Sequence, residues 1–386
     1  MSNSHLQDWV RTWIEIDTRS LFSNFEYFRD RARGARMMAM VKSNAYGHGL
    51  TQIAKLLESR IGNKELRKGN HIRNSKFAIR DSRLWFGVDS ITEALRLRDE
   101  GIKNPLLVLG YTLPERLSEA RRGNIVVTVS NFDGLRDFLR LTSRPQFHIK
   151  LDTGMHRQGF QEKDIPELIG RLKTSRLIPD GAYSHLAEAS DARFSGGQIR
   201  SFERMLKAFE KAGIRPRIVH FNKTEGIVNF PNARYDMARL GIGLYGYYPE
   251  KRVRLKPILT WKTIISEVKR VKKGEYVSYD RTERLRRDSK VAILPVGYWH
   301  GFDRGLSSIG EVLVHGRRAR VLGRVTMDMT MVDVTDIPHV RIRDEVVIIG
   351  TQKGECITAD DIAEKIKTTS YEVITRINPL IRKVIV

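Results

Sequence analysis

Eight apolar runs of strand length, with segments of helical spacing between them, limit what this 386-residue chain can fold into more than any other feature. The runs lie at residues 37–41, 84–88, 105–109, 125–129, 146–151, 181–185, 217–221 and 235–240. Amphipathic stretches at 90–98, 131–141, 162–173, 197–212 and 224–228 fall between them. Strands that are apolar throughout read as buried on both faces, which belongs to parallel sheets covered by helices. Eight βα units within about 210 residues predict an α/β fold, a closed (β/α)8 TIM-type barrel rather than an open sheet.

After Gly246 the pattern changes. Runs at 260–265, 291–296, 309–314, 319–325, 329–334 and 346–349 are shorter and β-branched, and one helical stretch at 359–367 interrupts them. This predicts a mostly β C-terminal domain over 254–386, after a barrel over 14–250 and a linker at 247–256. Residues 12–16 alternate in character and predict a strand added to the second domain. The hydrophobic share of 41% and charged share of 29% are those of a soluble globular protein. The single cysteine, Cys356, excludes an internal disulfide and a multi-cysteine metal site, and no metal is expected. No apolar run nears the about 20 residues needed to cross a bilayer, and the first residues lack a basic segment followed by an apolar one. No membrane association is expected, and the cytoplasm is the expected compartment. The net charge of +23 is concentrated partly in a basic insertion near 60–83, which holds Arg60, Lys64, Arg67, Lys68, Arg73, Lys76, Arg80 and Arg83. Without aromatic interleaving it reads as a solvated surface, and no specific nucleic acid partner is expected.

In a barrel of this kind sites are built where strands end at the C-terminal rim. The first run stops at Lys42, and Ser43-Asn44-Ala45-Tyr46-Gly47-His48-Gly49 follows before an amphipathic stretch starts at Leu50. A lysine against an apolar strand can lose its proton at moderate pH and serve as a Schiff-base nucleophile. Lys150 and Asp152 end the fifth run, His185 the sixth, His220 the seventh and Arg239 the eighth, with Thr224 just beyond His220. Taken singly, Lys42 reads as a snorkelling strand end, His185 and His220 as strand-end or core histidines, Arg239 as a salt-bridged strand end and Thr224 as a helix cap.

The string Val41-Lys42-Ser43-Asn44-Ala45-Tyr46-Gly47-His48-Gly49 resembles the cofactor-lysine motif of bacterial alanine racemases in eight of nine positions, with Ser43 in place of alanine. The resemblance extends from about Thr12 to Val386. It implies a racemase that interconverts L- and D-alanine for peptidoglycan precursors by a two-base mechanism. It implies pyridoxal phosphate on Lys42, with Tyr46, Thr224, Gly241, Ile242 and Tyr371 around the phosphate, His185 packed on the pyridine ring and Arg239 facing its nitrogen. His220 would orient Arg239. Lys150, carbamylated in some members, would hold Arg157 beside the cofactor's phenolic oxygen. Tyr279 would be the second base, with Tyr298, nineteen residues on, as its hydrogen-bonding partner. Met327 and Asp328 would lie near the substrate carboxylate in the partner subunit, so the resemblance implies a homodimer with shared active sites. Departures from the family pattern occur at Lys223, Asp280, Trp299 and Ser190. A racemase of different or broader specificity and a non-catalytic protein that binds pyridoxal phosphate remain as alternatives.

Overall fold

A computed structural model describes residues 10–67, 83–233, 235–250 and 253–386, with side chains of 61–67 left aside. Most of the basic insertion therefore lies outside the described residues. The chain divides into two compact units. One comprises Leu21–Ala45 and Leu50–Lys256, and the other gathers Pro257–Val386, Tyr46–Gly49 and the N-terminal strand.

Strand β1, Thr12–Ile16, precedes the first unit. Its strands are β2 (Arg36–Met40), β3 (Leu84–Val88), β4 (Leu106–Val108), β5 (Val127–Val129), β6 (Phe147–Lys150), β7 (Gly181–Tyr183), β8 (Ile218–His220) and β9 (Met237–Leu240). All eight expected runs form strands, six of them two residues shorter than the run because the backbone pairing does not extend over the whole apolar stretch. They pair in parallel in the order β4-β3-β2-β9-β8-β7-β6-β5. A parallel bridge between Leu107 and Val126 joins the two ends, so the sheet closes. The (β/α)8 architecture expected from the sequence is the observed one. The chain from Leu84 to Val88 is buried throughout, as strands covered on both faces must be.

The helices start where the sequence supplies caps. Ser90, Asn131 and Asp191 accept hydrogen bonds from the backbone N–H groups of Glu93, Gly134 and Phe194. Helix Ala192–Lys211 buries Gln198, Phe202, Met205 and Phe209 at helical spacing. It begins five residues earlier than the amphipathic stretch suggests, because Asp191 caps it at Ala192 and Gly196 and Gly197, in the second turn, obscure the apolar pattern there. Helix Thr18–Arg31 was not among the expected stretches.

The second unit is mostly β, as expected. Its strands are β10 (Leu259–Ile264), β11 (Glu267–Val271), β12 (Tyr276–Val277), β13 (Glu283–Arg284), β14 (Ser289–Leu294), β15 (Glu311–Val314), β16 (Arg317–Arg320), β17 (Thr330–Asp333), β18 (Glu345–Gln352), β19 (Glu355–Ile357) and β20 (Arg382–Ile385). The main sheet runs β16-β15-β18-β10-β1-β20. Strand β1 lies antiparallel to β10 and parallel to β20. Strands β11, β14 and β17 form a second sheet, and β12 and β13 a short ribbon. Strand β11 carries Lys269 and Arg270 and is largely exposed, so it lacks the apolar alternation by which strands are recognised. Under the ribbon, Val277, Leu285, Val291 and Leu322 form a small apolar cluster.

Candidate functional site

Lys42 follows β2 by two residues, at the C-terminal rim of the barrel. Its Nζ lies 3.8 Å from the Asp89 carboxylate, and 36% of its side chain is exposed. It is therefore a half-open, ion-paired amine and not the desolvated one that the apolar strand suggested. The loop after it is strained. Ser43, Asn44, Ala45 and Tyr46 all have φ between 53° and 55°. Left-handed backbone costs a non-glycine residue about 1–2 kcal/mol, so four in succession persist only if their surroundings hold them. Glu93 does so: one carboxylate oxygen accepts from Ser43 N–H at 2.7 Å, the other from Asp89 N–H at 2.9 Å. Asn44 Oδ1 accepts from Leu50 N–H at 3.0 Å, which closes the loop onto the next helix.

Arg239, on β9, is almost fully buried. Its Nη1 donates to His220 Nδ1 at 2.6 Å, and its Nη2 donates to the carbonyls of Ser184 and Phe221 at 2.6 and 2.9 Å and to His185 Nδ1 at 3.0 Å. Burial pulls the guanidinium down to about 10, still well above neutral, so it stays a cation. Burial and this cation push His185 and His220 well below the ordinary histidine value. His220 also stacks on the Tyr183 ring at 4.6 Å, and Tyr183 Oη shares a 2.9 Å hydrogen bond with Thr128.

Lys150 ends β6 and donates to Gln158 Oε1 at 3.2 Å. Burial first, then the charges of Arg157 and Arg239, bring it down to about 8. Lys42 adds to the same effect, so three cationic side chains at this rim act on Lys150. Arg157 itself is exposed on the loop after β6. Asp152 folds that loop by accepting from the N–H groups of Gly154, Met155 and His156.

Thr224 was expected as a helix cap. Lys223 takes that position instead, and Thr224 is buried in the first turn of Thr224–Asn229. Its hydroxyl accepts from Gly241 N–H at 3.0 Å and Gly243 N–H at 3.4 Å. A Cβ at Gly243 would stand 2.6 Å from the Thr224 methyl, so this approach requires glycine there. Ile242 opens the tight turn that follows Gly241. Lys223 pairs with Glu225 at 3.7 Å.

The second unit brings together another group. Tyr46 and Tyr371 have ring centroids 6.1 Å apart. Tyr279 sits on a turn where Ser278, Asp280 and Arg281 all have positive φ, and 69% of it is exposed. Asp280 pairs with Arg324 at 2.6 Å, and the Ser278 hydroxyl donates to the Arg324 carbonyl at 2.7 Å. The same stretch holds the other tyrosine: Tyr298 and Trp299 N–H groups donate to the carbonyls of Thr326 and Met327, each at 3.0 Å. A Cβ at Gly297 would lie 2.1 Å from the Thr326 oxygen, so only glycine permits that contact. Met327 and Asp328 are exposed at its tip. Asp89, Glu93 and His148 escaped the sequence reading, although Ser90-Ile91-Thr92-Glu93 carries the spacing of a capping box.

Family models described as the N-terminal and C-terminal domains of alanine racemase match residues 16–78 and 72–249, and 258–385, respectively. The chain belongs to the alanine racemase family. An alanine racemase of Leptospira interrogans is 35% identical over all of this chain and 98% of its own length. The alanine racemase of Bacillus anthracis, solved with bound L-Ala-P, superposes with a TM-score of 0.86 at 29% identity, over 98% of this chain and 95% of that one. The enzyme of Clostridium difficile in complex with cycloserine gives a TM-score of 0.83 at 27% identity, over 97% and 96%. Membership of the alanine racemase family makes the chain an isomerase of alanine. Among the described residues no helix is long and apolar enough to cross a membrane, and no group of His, Cys, Asp and Glu has the makeup of a metal site.

Proposed function

We propose that the chain is a pyridoxal phosphate-dependent alanine racemase that works by two bases, Lys42 and Tyr279, in a homodimer with shared sites. The observation that carries the reading is the rim of the barrel, where Lys42 stands at a strand end and buried Arg239 remains a cation between two neutral histidines. The barrel's donors fit the cofactor, Lys42 for its aldehyde carbon and the Thr224 hydroxyl with the backbone of Gly241 and Ile242 for its phosphate, to which the phenols of Tyr46 and Tyr371 would be added as the family resemblance implies. His185 would pack on its ring. When bound, pyridoxal phosphate stabilises the negative charge left at the α-carbon after its proton departs.

The chain's own groups do the rest. Lys42 Nζ takes or returns the α-proton on one face of the substrate, and the Tyr279 phenol does the same on the other. Arg239 offers only N–H donors and no transferable proton at neutral pH, which weakens the electron sink and disfavours side reactions such as transamination. Lys150, brought to about 8, is partly an uncharged amine near neutral pH, the form whose nitrogen adds to carbon dioxide and releases a proton to solvent, giving a carbamate anion that would hold Arg157. Arg157 and Met327 would meet the substrate, with Tyr298, His220 and Asp328 supporting their neighbours. The exposed Tyr279, Tyr298, Trp299, Met327 and Met329 on the second unit support a face that is covered in a dimer. The compartment consistent with this role is the cytoplasm, where D-alanine is needed for peptidoglycan precursors.

Loss of optical activity from L-alanine, with pyridoxal phosphate present, tests the reading. Racemisation is expected, and Lys42→Ala is expected to abolish both it and the visible absorbance of bound cofactor. Cofactor absorbance without racemisation of alanine or of any other amino acid in a panel would leave only the non-catalytic reading.

A further inference from the structure

We propose that His148 is a positioning residue that sets the tautomer of His220 and thereby the seat of Arg239. A guanidinium donates hydrogen bonds and accepts none. The His220 Nδ1 that receives Arg239 Nη1 at 2.6 Å must therefore carry a lone pair, which places the proton of neutral His220 on Nε2. That Nε2 stands 2.9 Å from His148 Nδ1 and donates to it. His148 in turn must carry its proton on its own Nε2. Three side chains thus form a directed line, with each proton's place dictated by the group before it.

The surroundings of His148 are built for the ring and not for its polarity. It lies on β6 opposite Gly181 of β7, where a Cβ would come within 2.5 Å of the imidazole. The Trp85 ring packs at 5.8 Å. His148 is fully buried, and its Nε2 has no hydrogen-bond partner among the described residues. A leucine would fill such a pocket without an orphaned donor, so what histidine uniquely brings is the Nδ1 acceptor facing His220. Burial and the Arg239 charge push His148 down to about 3, so it keeps that lone pair at neutral pH. The inference rests on the proposed function only in supposing that Arg239 serves the reaction.

The test uses the full-length protein with pyridoxal phosphate, labelled with 15N-histidine, and reads ring tautomers from long-range 1H–15N correlations. In the unaltered protein, His148 and His220 are expected as neutral rings protonated on Nε2. His148→Leu removes the acceptor. It is expected to disturb the His220 tautomer and to lower kcat about tenfold with less change in KM for alanine. His148→Asn, whose amide oxygen can occupy the place of Nδ1, is expected to restore both. A proton on Nδ1 of either histidine in the unaltered protein overturns the proposal. So does a folded Leu variant with unchanged kcat, or an Asn variant as impaired as the Leu one. Should the Leu variant not fold, the tautomers of the unaltered protein and the Asn variant decide. The tautomers are read without turnover, so a chain that fails to racemise alanine would still answer this question separately.

Discussion

At the scale of single residues, the charge on Arg239 is the quantity from which most of the candidate site follows. It survives burial because four acceptors surround the guanidinium. Burial, and after it this charge, holds the adjacent histidines neutral, and this has a measurable consequence for stability. His148 and His220 are fully buried and titrate well below 6.5 when folded, whereas in the unfolded chain each has a pKa of about 6.5. Below that pH the unfolded state binds more protons than the folded one, so stability falls as pH falls. The loss is up to about 1.4 kcal/mol per pH unit for each histidine until its folded value is reached. Urea midpoints measured between pH 7 and pH 4.5 are expected to decline steadily. A flat profile over that window would mean the histidines are not buried neutral. The lowered carboxylates, such as Asp17 and Asp152, weaken the fold only at more acidic pH, so the two effects separate. His220 and Arg239 were nameable in the sequence as strand-end polar groups and His148 was not, and the protonation of all three depends on neighbours drawn from different strands.

At the scale of elements, the loop from Ser43 to Gly49 shows strain held in place from a distance. Its four left-handed residues are tethered by Glu93, which belongs to the helix after the next strand. Glu93→Ala removes the acceptor for Ser43 and Asp89 N–H groups together. The expected outcome is a loss of about 1–3 kcal/mol in unfolding free energy and a larger fractional loss of racemase activity, since Lys42 immediately precedes the loop. An unchanged urea midpoint would show that the loop holds its shape without Glu93. In the second unit, the short ribbon of β12 and β13 over its apolar cluster carries the turn of Tyr279. Neither ribbon strand is longer than two residues, so its existence was invisible to periodicity and came only from pairing.

At the scale of the molecule, the two-base proposal assigns one base to the barrel and the other to the β unit. Tyr279→Phe is expected to leave cofactor bound and to slow proton exchange on one enantiomer of alanine by about 10²–10⁴-fold more than on the other, read as solvent deuterium incorporation from L- and from D-alanine. Equal, small losses in both directions would remove Tyr279 from the mechanism. Analytical ultracentrifugation checks the dimer that this assignment requires, and a monomer at full activity would contradict shared sites. The order of buried strands and amphipathic helices determined the barrel, because apolar segments of that length must be covered on both faces and parallel pairing requires crossovers. The motif around Lys42 likewise determined the family, since its residue types follow one another along the chain. Tertiary structure alone decided the rest: that Thr224 faces Gly241 instead of capping a helix, that Asp89 pairs with Lys42, that Glu93 holds the left-handed loop, and that His148 stands behind His220. Each is a contact between strands or loops distant in sequence, where hydrogen-bond direction and burial depend on packing that no local pattern encodes.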